Sequence, residues 1–372
     1  MKKVLLTATV QSHIAQFHLP LIHMLKLNGY EVHVAGRNNL KEKNGLKIEG
    51  PDKIFDIPFE RSPLSKNNIK AYKQLKRILI NNSYDIVHCN TPMGGVITRL
   101  AANEFRKKGT KVYYTAHGFH FYKGSPLKNW LVYYPIEMFL ARYTDKLITI
   151  TKEDYELASK KFKTNIYHVH GVGVNTSKYN PVNKEEKDNI RMNLGFKKNE
   201  FIIICIGELN KNKNQKAIIN AMPELIKRIP NVKLLLAGNG PNEADLKHLV
   251  SDLKVIDNVK FLGYRTDLNK YINLSDLVVS FSYREGLPLN IMEAMICKKP
   301  IVASKNRGHK ELINDKVSGI LVNPNNHRDI EKTVSTLYLN KGKQRNLAEM
   351  AFNLVKPYTI ENVLEEIKEI YF

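Results

Sequence analysis

Two successive trains of short apolar runs, each run followed by a longer helical pattern, constrain this chain more than any other feature. The first train is KVLLTATV, EVHVAG, DIVHCN, KVYYTAHG, KLITIT and IYHVHGVGV; the second is FIIICIG, VKLLLAGNG, VKFLGY, LVVSFS, PIVASK and GILVNP. Near-continuous apolar runs of this length suit strands covered on both faces in a parallel sheet. Residues 15–28, 67–80, 212–228, 241–253 and 326–339 read as helices between them. A βα alternation that occurs twice predicts an α/β fold of two Rossmann-like, doubly wound domains facing across a cleft. At 372 residues the chain is also longer than one core usually supports. The expected division is an N-terminal Rossmann-like domain over 1–170, a Gly-, Asn-, Pro- and charge-rich linker over 171–198, a C-terminal Rossmann-like domain over 199–352, and a C-terminal helix over 353–372 packing back on the first domain.

Open α/β sheets bind ligands at the carboxyl ends of their strands. The segments following strands therefore carry the functional argument: TVQSHIAQFH, TAHGFHF, GELNKNKNQ and SYREGLPLNIMEAM. In the last, Glu285 and Glu293 stand eight positions apart with Pro288 between them. Pro288 suits a first helical turn, where its missing N–H costs nothing. Free amides at about residues 286–289 make a natural phosphate site. Carboxylates on either side make sense if each accepts hydrogen bonds from sugar hydroxyls flanking a diphosphate. The plain alternative is a surface helix with two solvated glutamates.

Composition narrows the partners. With 58 Lys+Arg against 36 Asp+Glu, the formal net charge is +22, which favours nucleic acid, an anionic membrane face or phosphorylated ligands. Cys89, Cys205 and Cys297 are odd in number, far apart and in apolar contexts, and read as reduced thiols in the cytoplasm. No His/Cys cluster has zinc spacing and no Asp-x-Asp pair occurs, so neither a metal nor another cofactor is expected. The apolar run in MKKVLLTATV is too short for a signal peptide and reads as a first strand; no run approaches a membrane span.

SYREGLPLNIMEAMICKKPIVAS resembles the Glu-x7-Glu segment of the retaining, GT-B-fold glycosyltransferases of family four. IGELNKNKNQ resembles that family's phosphate loop, and VKLLLAGNGP, VKFLGYRTDLNKYINLSDLVVS, NRGHKELI, SGILVNP, HVHGVGVNTSKYNP and TAHGFHFYKG match further segments in the family's order. Capsule and exopolysaccharide transferases of bacteria are the nearest likeness. The resemblance implies transfer from a nucleotide sugar, by family habit a UDP-sugar, to a lipid-diphosphate-linked saccharide, without a metal. It implies that Glu293 holds the ribose hydroxyls, and that Glu285 contacts the transferred sugar. Lys213, with the amides of Gly286 and Leu287 ahead of Pro288, neutralises the departing diphosphate. Arg265 frames the base, and His117 lies near the donor sugar. A positioned cation and a helix N-terminus are what a leaving group gaining negative charge requires.

The chain departs from the family at two places. Glu208 stands where an arginine commonly follows the glycine of the phosphate loop; Lys211 or Asn210 substitutes for it, or Glu208 faces away and orients Lys213. The first loop has TVQSHIAQFH in place of paired glycines. His13 and His120 are candidate acceptor contacts, whereas His18 and His23 read as a helix flank. Residues 61–80 and 119–146 mix Lys and Arg with aromatic and aliphatic residues, as expected of a peripheral protein on the anionic inner face of the cell membrane. Trp130, Tyr133 and Tyr134 either sit at that interface or pack in the core. Other classes are a nucleotide-sugar epimerase or hydrolase of the same fold, a catalytically dead scaffold, and a nucleic-acid-binding protein. The last is disfavoured because the basic residues are dispersed and no RNA or DNA motif occurs.

Overall fold

The computed structural model of the chain describes residues 1–43 and 46–372. It divides into two compact units, Met1–Gly173 with Ile360–Phe372, and Val174–Thr359.

The first unit runs β1 (Lys3–Val10), α1 (Gln11–Phe17), α2 (Leu19–Leu27), β2 (Glu31–Arg37), β3 (Lys53–Asp56), α3 (Asn67–Asn82), β4 (Ile86–Asn90), α4 (Pro92–Arg106), β5 (Lys111–Ala116), α5 (Leu127–Ala141), β6 (Lys146–Thr149), α6 (Lys152–Lys161) and β7 (Asn165–His168). Its sheet is parallel in the order β3-β2-β1-β4-β5-β6-β7. Alternate side chains feed two layers. Val4, Leu6, Val32 and Val34 pack with Ile14 and Ile22, while Leu5, Ala35 and Val87 pack with Leu75, Leu79 and Ala101. The strand β3 has no apolar run to announce it. It is an edge strand with largely exposed side chains, paired only to β2.

A single helix over 15–28 does not form. Pro20 stands at the second position of α2, and in a continuous helix its ring would meet the carbonyl of residue 16. The chain therefore breaks at His18, which has φ −120° and ψ 6° and joins two short helices.

The second unit runs α7 (Lys184–Asn193), β8 (Phe201–Ile206), α8 (Lys216–Arg228), β9 (Val232–Ala237), α9 (Glu243–Asp252), β10 (Val259–Gly263), α10 (Leu268–Leu274), β11 (Leu277–Ser280), α11 (Leu289–Ile296), β12 (Ile301–Ser304), α12 (Arg307–Leu312), β13 (Ile320–Val322), α13 (His327–Leu339) and α14 (Lys341–Val355). Its parallel sheet has the order β10-β9-β8-β11-β12-β13. Residues 174–198, which by composition read as connecting chain, belong to this unit and carry α7. A capping box starts that helix: Asn183 Oδ1 accepts from the Glu186 amide and Glu186 accepts from the Asn183 amide. The last helix, α15 (Ile360–Tyr371), belongs to the first unit, where it buries Val363, Ile370 and Tyr371.

One buried charge pair fixes α5 on the first unit. Arg99 of α4 is fully buried, with Nη1 2.8 Å from Glu137 Oε2 of α5, its guanidinium 3.9 Å from the Tyr114 ring centroid, and its Nε–H donating to the Gly95 carbonyl at 3.0 Å. Removing one partner of such a pair leaves an uncompensated interior charge. Glu137→Leu is expected to cost about 3–5 kcal/mol in urea unfolding, whereas Arg99→Met with Glu137→Leu returns most of that loss. A double variant no more stable than the single one would contradict this account.

Candidate active site

In the second unit the strand order reverses between β8 and β11, so the connections leaving these neighbours diverge and open a crevice at their carboxyl ends. Two loops meet there, residues 207–213 after β8 and 281–288 after β11. Asn212 ties them together. Its carbonyl accepts from the Tyr283 amide at 2.8 Å, its Nδ2 donates to the Arg284 carbonyl at 2.9 Å, and its Oδ1 accepts from the Arg284 amide at 3.1 Å. Lys213 Nζ then lies 2.6 Å from Glu285 Oε1, both side chains being largely sheltered from solvent. Gly207, at φ 149°, leaves room for the lysine stem, since a β-carbon there would sit 3.3 Å from Lys213 Cδ and Cε. Asn210 Oδ1 accepts from the Lys213 amide at 2.9 Å.

The Glu285 turn is supported from beneath. A β-carbon on Gly308 would come within 2.7 Å of Glu285 Cβ, so only glycine fits at the start of α12. The neighbouring His309 is fully buried, and burial holds its pKa below the usual range. Its Nδ1–H donates to the Ser304 carbonyl at 2.8 Å and its Nε2 accepts from the Ser280 hydroxyl at 3.1 Å. Asn306 caps α12 by accepting from the His309 amide and donates Nδ2 to the Ser282 carbonyl at 2.8 Å.

Pro288 is the N-cap of α11 rather than its first helical residue. Among the described residues, the amides of Gly286 and Leu287 donate to no protein acceptor. Glu293 lies in the second turn of α11 and is buried; burial pushes its carboxyl up to about 7, opposed by a hydrogen bond from the Tyr179 hydroxyl and by Lys178. Arg265 does not extend freely. Its Nε and Nη2 donate to Asp267 at 2.8 Å each, and it lies 5.0 Å from the Tyr271 ring centroid. Glu208 makes no ion pair with Lys213; its carboxylate accepts from Asn210 Nδ2 at 3.0 Å.

In the first unit, His13 of α1 and His117 after β5 approach with Nε2 atoms 3.4 Å apart, and His117 Nε2 lies 3.2 Å from Asn90 Oδ1. The break at Pro20 adds a third ring. His18 is not on a helix flank but buried, with its ring centroid 5.2 Å from His13 and 5.7 Å from His117. His120 is turned toward α5, its ring 4.7 Å from Tyr133. Trp130 and Tyr134 pack against Phe121, whereas Tyr133 is exposed, so the aromatic group of α5 divides between core and surface.

Asn212, Tyr179, Gly308, His309 and His18 carry this geometry and were not candidates on sequence. Gly308 and His309 had a local signal in the cap residue Asn306, three positions before His309, and His18 had one in Pro20, two positions on.

Two family models match: glycosyl transferase 4-like over residues 3–151 and glycosyl transferases group 1 over residues 186–354. The chain is 41% identical over 372 residues to the putative glycosyltransferase EpsD of Bacillus subtilis, covering 100% of this chain and 96% of that one. It is 30% identical over 319 residues to the UDP-Gal:alpha-D-GlcNAc-diphosphoundecaprenol alpha-1,3-galactosyltransferase of Escherichia coli, covering 82% and 79%. The solved structure of Anabaena Alr3699/HepE in complex with UDP-glucose is similar with a TM-score of 0.80 at 20% identity, covering 100% of this chain and 99% of that one. The switch-point loops, the two parallel sheets and these full-length likenesses together place the chain in the family-four glycosyltransferases of GT-B fold.

Proposed function

We propose that the protein is a retaining glycosyltransferase that moves a sugar from a UDP-sugar to a lipid-diphosphate-linked saccharide in capsule or exopolysaccharide synthesis. The observation that carries this reading is the Lys213–Glu285 pair at 2.6 Å beside the unpartnered amides of Gly286 and Leu287. A diphosphate entering there meets a cation and a helix amide end, and its arrival releases Glu285 for a sugar hydroxyl. The E. coli relative, whose name gives a UDP-galactose donor and a diphosphoundecaprenol acceptor, supports both substrate classes.

In this reading Glu293 accepts the ribose diol, Asn210 shapes the phosphate loop, and Arg265 with Pro288 frames the donor. His117 donates to the sugar or phosphate, and His13 and His120 contact the acceptor. Charge on the leaving group is met by Lys213 and amides rather than by an ion. The bond from the anomeric carbon to the β-phosphate oxygen breaks. That oxygen takes the proton of the acceptor hydroxyl, and the new glycosidic bond forms on the same face of the sugar.

Peripheral attachment to an anionic leaflet completes the proposal. The helix α5 exposes Leu127, Leu131, Val132, Ile136 and Phe139 beside Lys128 and Arg142. The helix α3 exposes Ile69 and Ile80 beside Lys70, Lys73 and Arg77. Among the described residues no helix is long and apolar enough to cross a membrane. An apolar insert ringed by cations fits a surface of anionic lipid.

A panel of UDP-, GDP- and ADP-sugars read by thermal shift tests the donor: a UDP-sugar raises the melting temperature and the others do not. Lys213→Ala weakens UDP binding by roughly 10- to 100-fold. Glu285→Ala leaves UDP binding intact or tighter, because Lys213 is released, yet turnover falls by roughly 100-fold or more. Full turnover in that variant would remove Glu285 from the mechanism.

Glu293 sets a pH signature. Its folded pKa of about 7 lies above the ordinary 4.5. The unfolded chain therefore loses this proton first, and stability falls as pH rises from about 4.5 through about 7. Glu293→Gln is expected to be more stable than wild type at pH 8, by up to about 3 kcal/mol, and no different at pH 4. Because ribose hydroxyls favour the ionised carboxylate, wild-type UDP affinity rises over the same interval and that of Glu293→Gln stays flat.

Vesicle co-sedimentation tests the membrane surface. Binding is expected to rise with anionic lipid, and Leu131→Asp with Val132→Asp weakens it by roughly tenfold or more. Binding indifferent to lipid charge would count against this part of the proposal.

A further inference from the structure

The helices α8 and α13 of the second unit pack side by side, with Ile218, Leu225, Ile330 and Val334 in one core. A cavity of about 570 Å³ opens between them. From α8 it is lined by Asn220, Glu224 and Arg228, which stand four residues apart and so share one helical face. From α13 it is lined by Arg328, Glu331 and Lys332. None of these residues belongs to the loops that hold Lys213 and Glu285.

The floor of the cavity is a fixed structure. Glu331 is buried; its Oε1 accepts from the Ser335 hydroxyl at 3.0 Å and lies 2.7 Å from Arg228 Nε. That contact holds the guanidinium by its inner nitrogen. Among the described residues Arg228 Nη1 and Nη2 donate to no protein acceptor, so the planar fork that suits a phosphate edge is left open.

Arg328 and Lys332 make no ion pair among the described residues. Both are placed against the preferences of their own helix. Arg328 stands in the first turn of α13, where the helix dipole disfavours a cation, and Lys332, one turn on, is a like charge on the same face. The two carboxylates of the cavity are already neutralised, Glu331 by Arg228 and Glu224 by Lys227 at 2.6 Å. Arg328 and Lys332 therefore leave two positive charges unmet beside an open guanidinium fork.

We propose that this cavity binds a small phosphorylated polyol, of the sugar-phosphate class, with its phosphate between Arg228, Arg328 and Lys332 and its hydroxyls on Asn220 and Glu224. A phosphate dianion matches the two unmet charges. The volume falls within the range of small-molecule sites, roughly 300–1,000 Å³, and is more than a phosphate ion alone would fill. The Asn220 amide and the Glu224 carboxylate are the hydroxyl-binding groups of the remaining wall. The site stands whether or not the function proposed above holds, and its test needs neither a donor nor an acceptor.

Glucose 1-phosphate is titrated into the full-length protein at physiological salt by isothermal calorimetry, with inorganic phosphate and glucose as comparison ligands. The expected result is saturable binding of one molecule per chain that survives Lys213→Ala, with inorganic phosphate weaker and glucose inert. Arg328→Gln with Lys332→Gln should weaken binding by roughly tenfold or more. Arg228→Lys, which keeps a cation for Glu331 but removes the fork, should also weaken it. Lys160→Gln with Lys161→Gln, which removes two exposed charges from α6, should leave it unchanged. The proposal is overturned by any of four results: no saturable binding, binding abolished by Lys213→Ala, affinity unchanged in the Arg328 and Lys332 variant, or an equal loss in the Lys160 and Lys161 variant. Inorganic phosphate binding as tightly as glucose 1-phosphate also overturns it, since the hydroxyl contacts would then be absent. Both Arg328 and Lys332 are exposed, so their variant carries the test if Arg228→Lys does not fold.

Discussion

The Lys213–Glu285 ion pair is the contact on which the second unit's chemistry turns. Each side chain reaches the other from a different strand, and neither would be held in place alone. Their meeting depends on the reversal of strand order between β8 and β11 and on Asn212, whose three hydrogen bonds bind the two loops as one body. An ion pair sheltered from water is stable only while both partners remain or another charge replaces one of them. In the function proposed above, an incoming diphosphate is such a charge. On that proposal, the geometry that neutralises the pair also favours an anion, and it frees a carboxylate when the anion binds.

Glu293 answers a different demand. It is buried on α11 with no cation in direct contact among the described residues, and its hydroxyl partner comes from Tyr179, near the start of the second unit. A carboxyl in that setting stays poised between its two charge states near neutrality. Hydroxyl donors from a ligand stabilise the ionised form, so binding and ionisation are linked. In the proposed function neither glutamate needs to change position: one changes partner and the other changes charge.

The two parallel sheets were legible because buried parallel strands are written as uninterrupted apolar runs, as in FIIICIG and KVLLTATV. The edge strand β3 was not, because a strand paired on one side and open on the other needs no such run. Spacing and the family likeness singled out Glu285, Glu293 and Lys213 as candidates, and the structure brings Lys213 to Glu285. Asn212 and Tyr179 were not, because their roles come from backbone groups and a carboxyl 72 and more than a hundred residues away in sequence. His18 was misplaced for a local reason that the sequence does contain: Pro20 two positions on, which ends the helix and turns the ring inward.

The rotation of α5 follows from its one buried charge. A helix with apolar residues on all sides has no stripe to choose which face turns inward. Here Trp130, Tyr134, Glu137 and Ala141 face the unit, at the spacing of one helical face, and Glu137 alone among them has a partner that no neighbouring residue could supply. A slip by one residue would strand the Arg99 charge in the interior, a larger penalty than misplacing any one apolar contact. The ion pair thus sets which residues remain outside, and Leu127, Leu131, Val132, Ile136 and Phe139 are presented to the surroundings because Arg99 holds the opposite face.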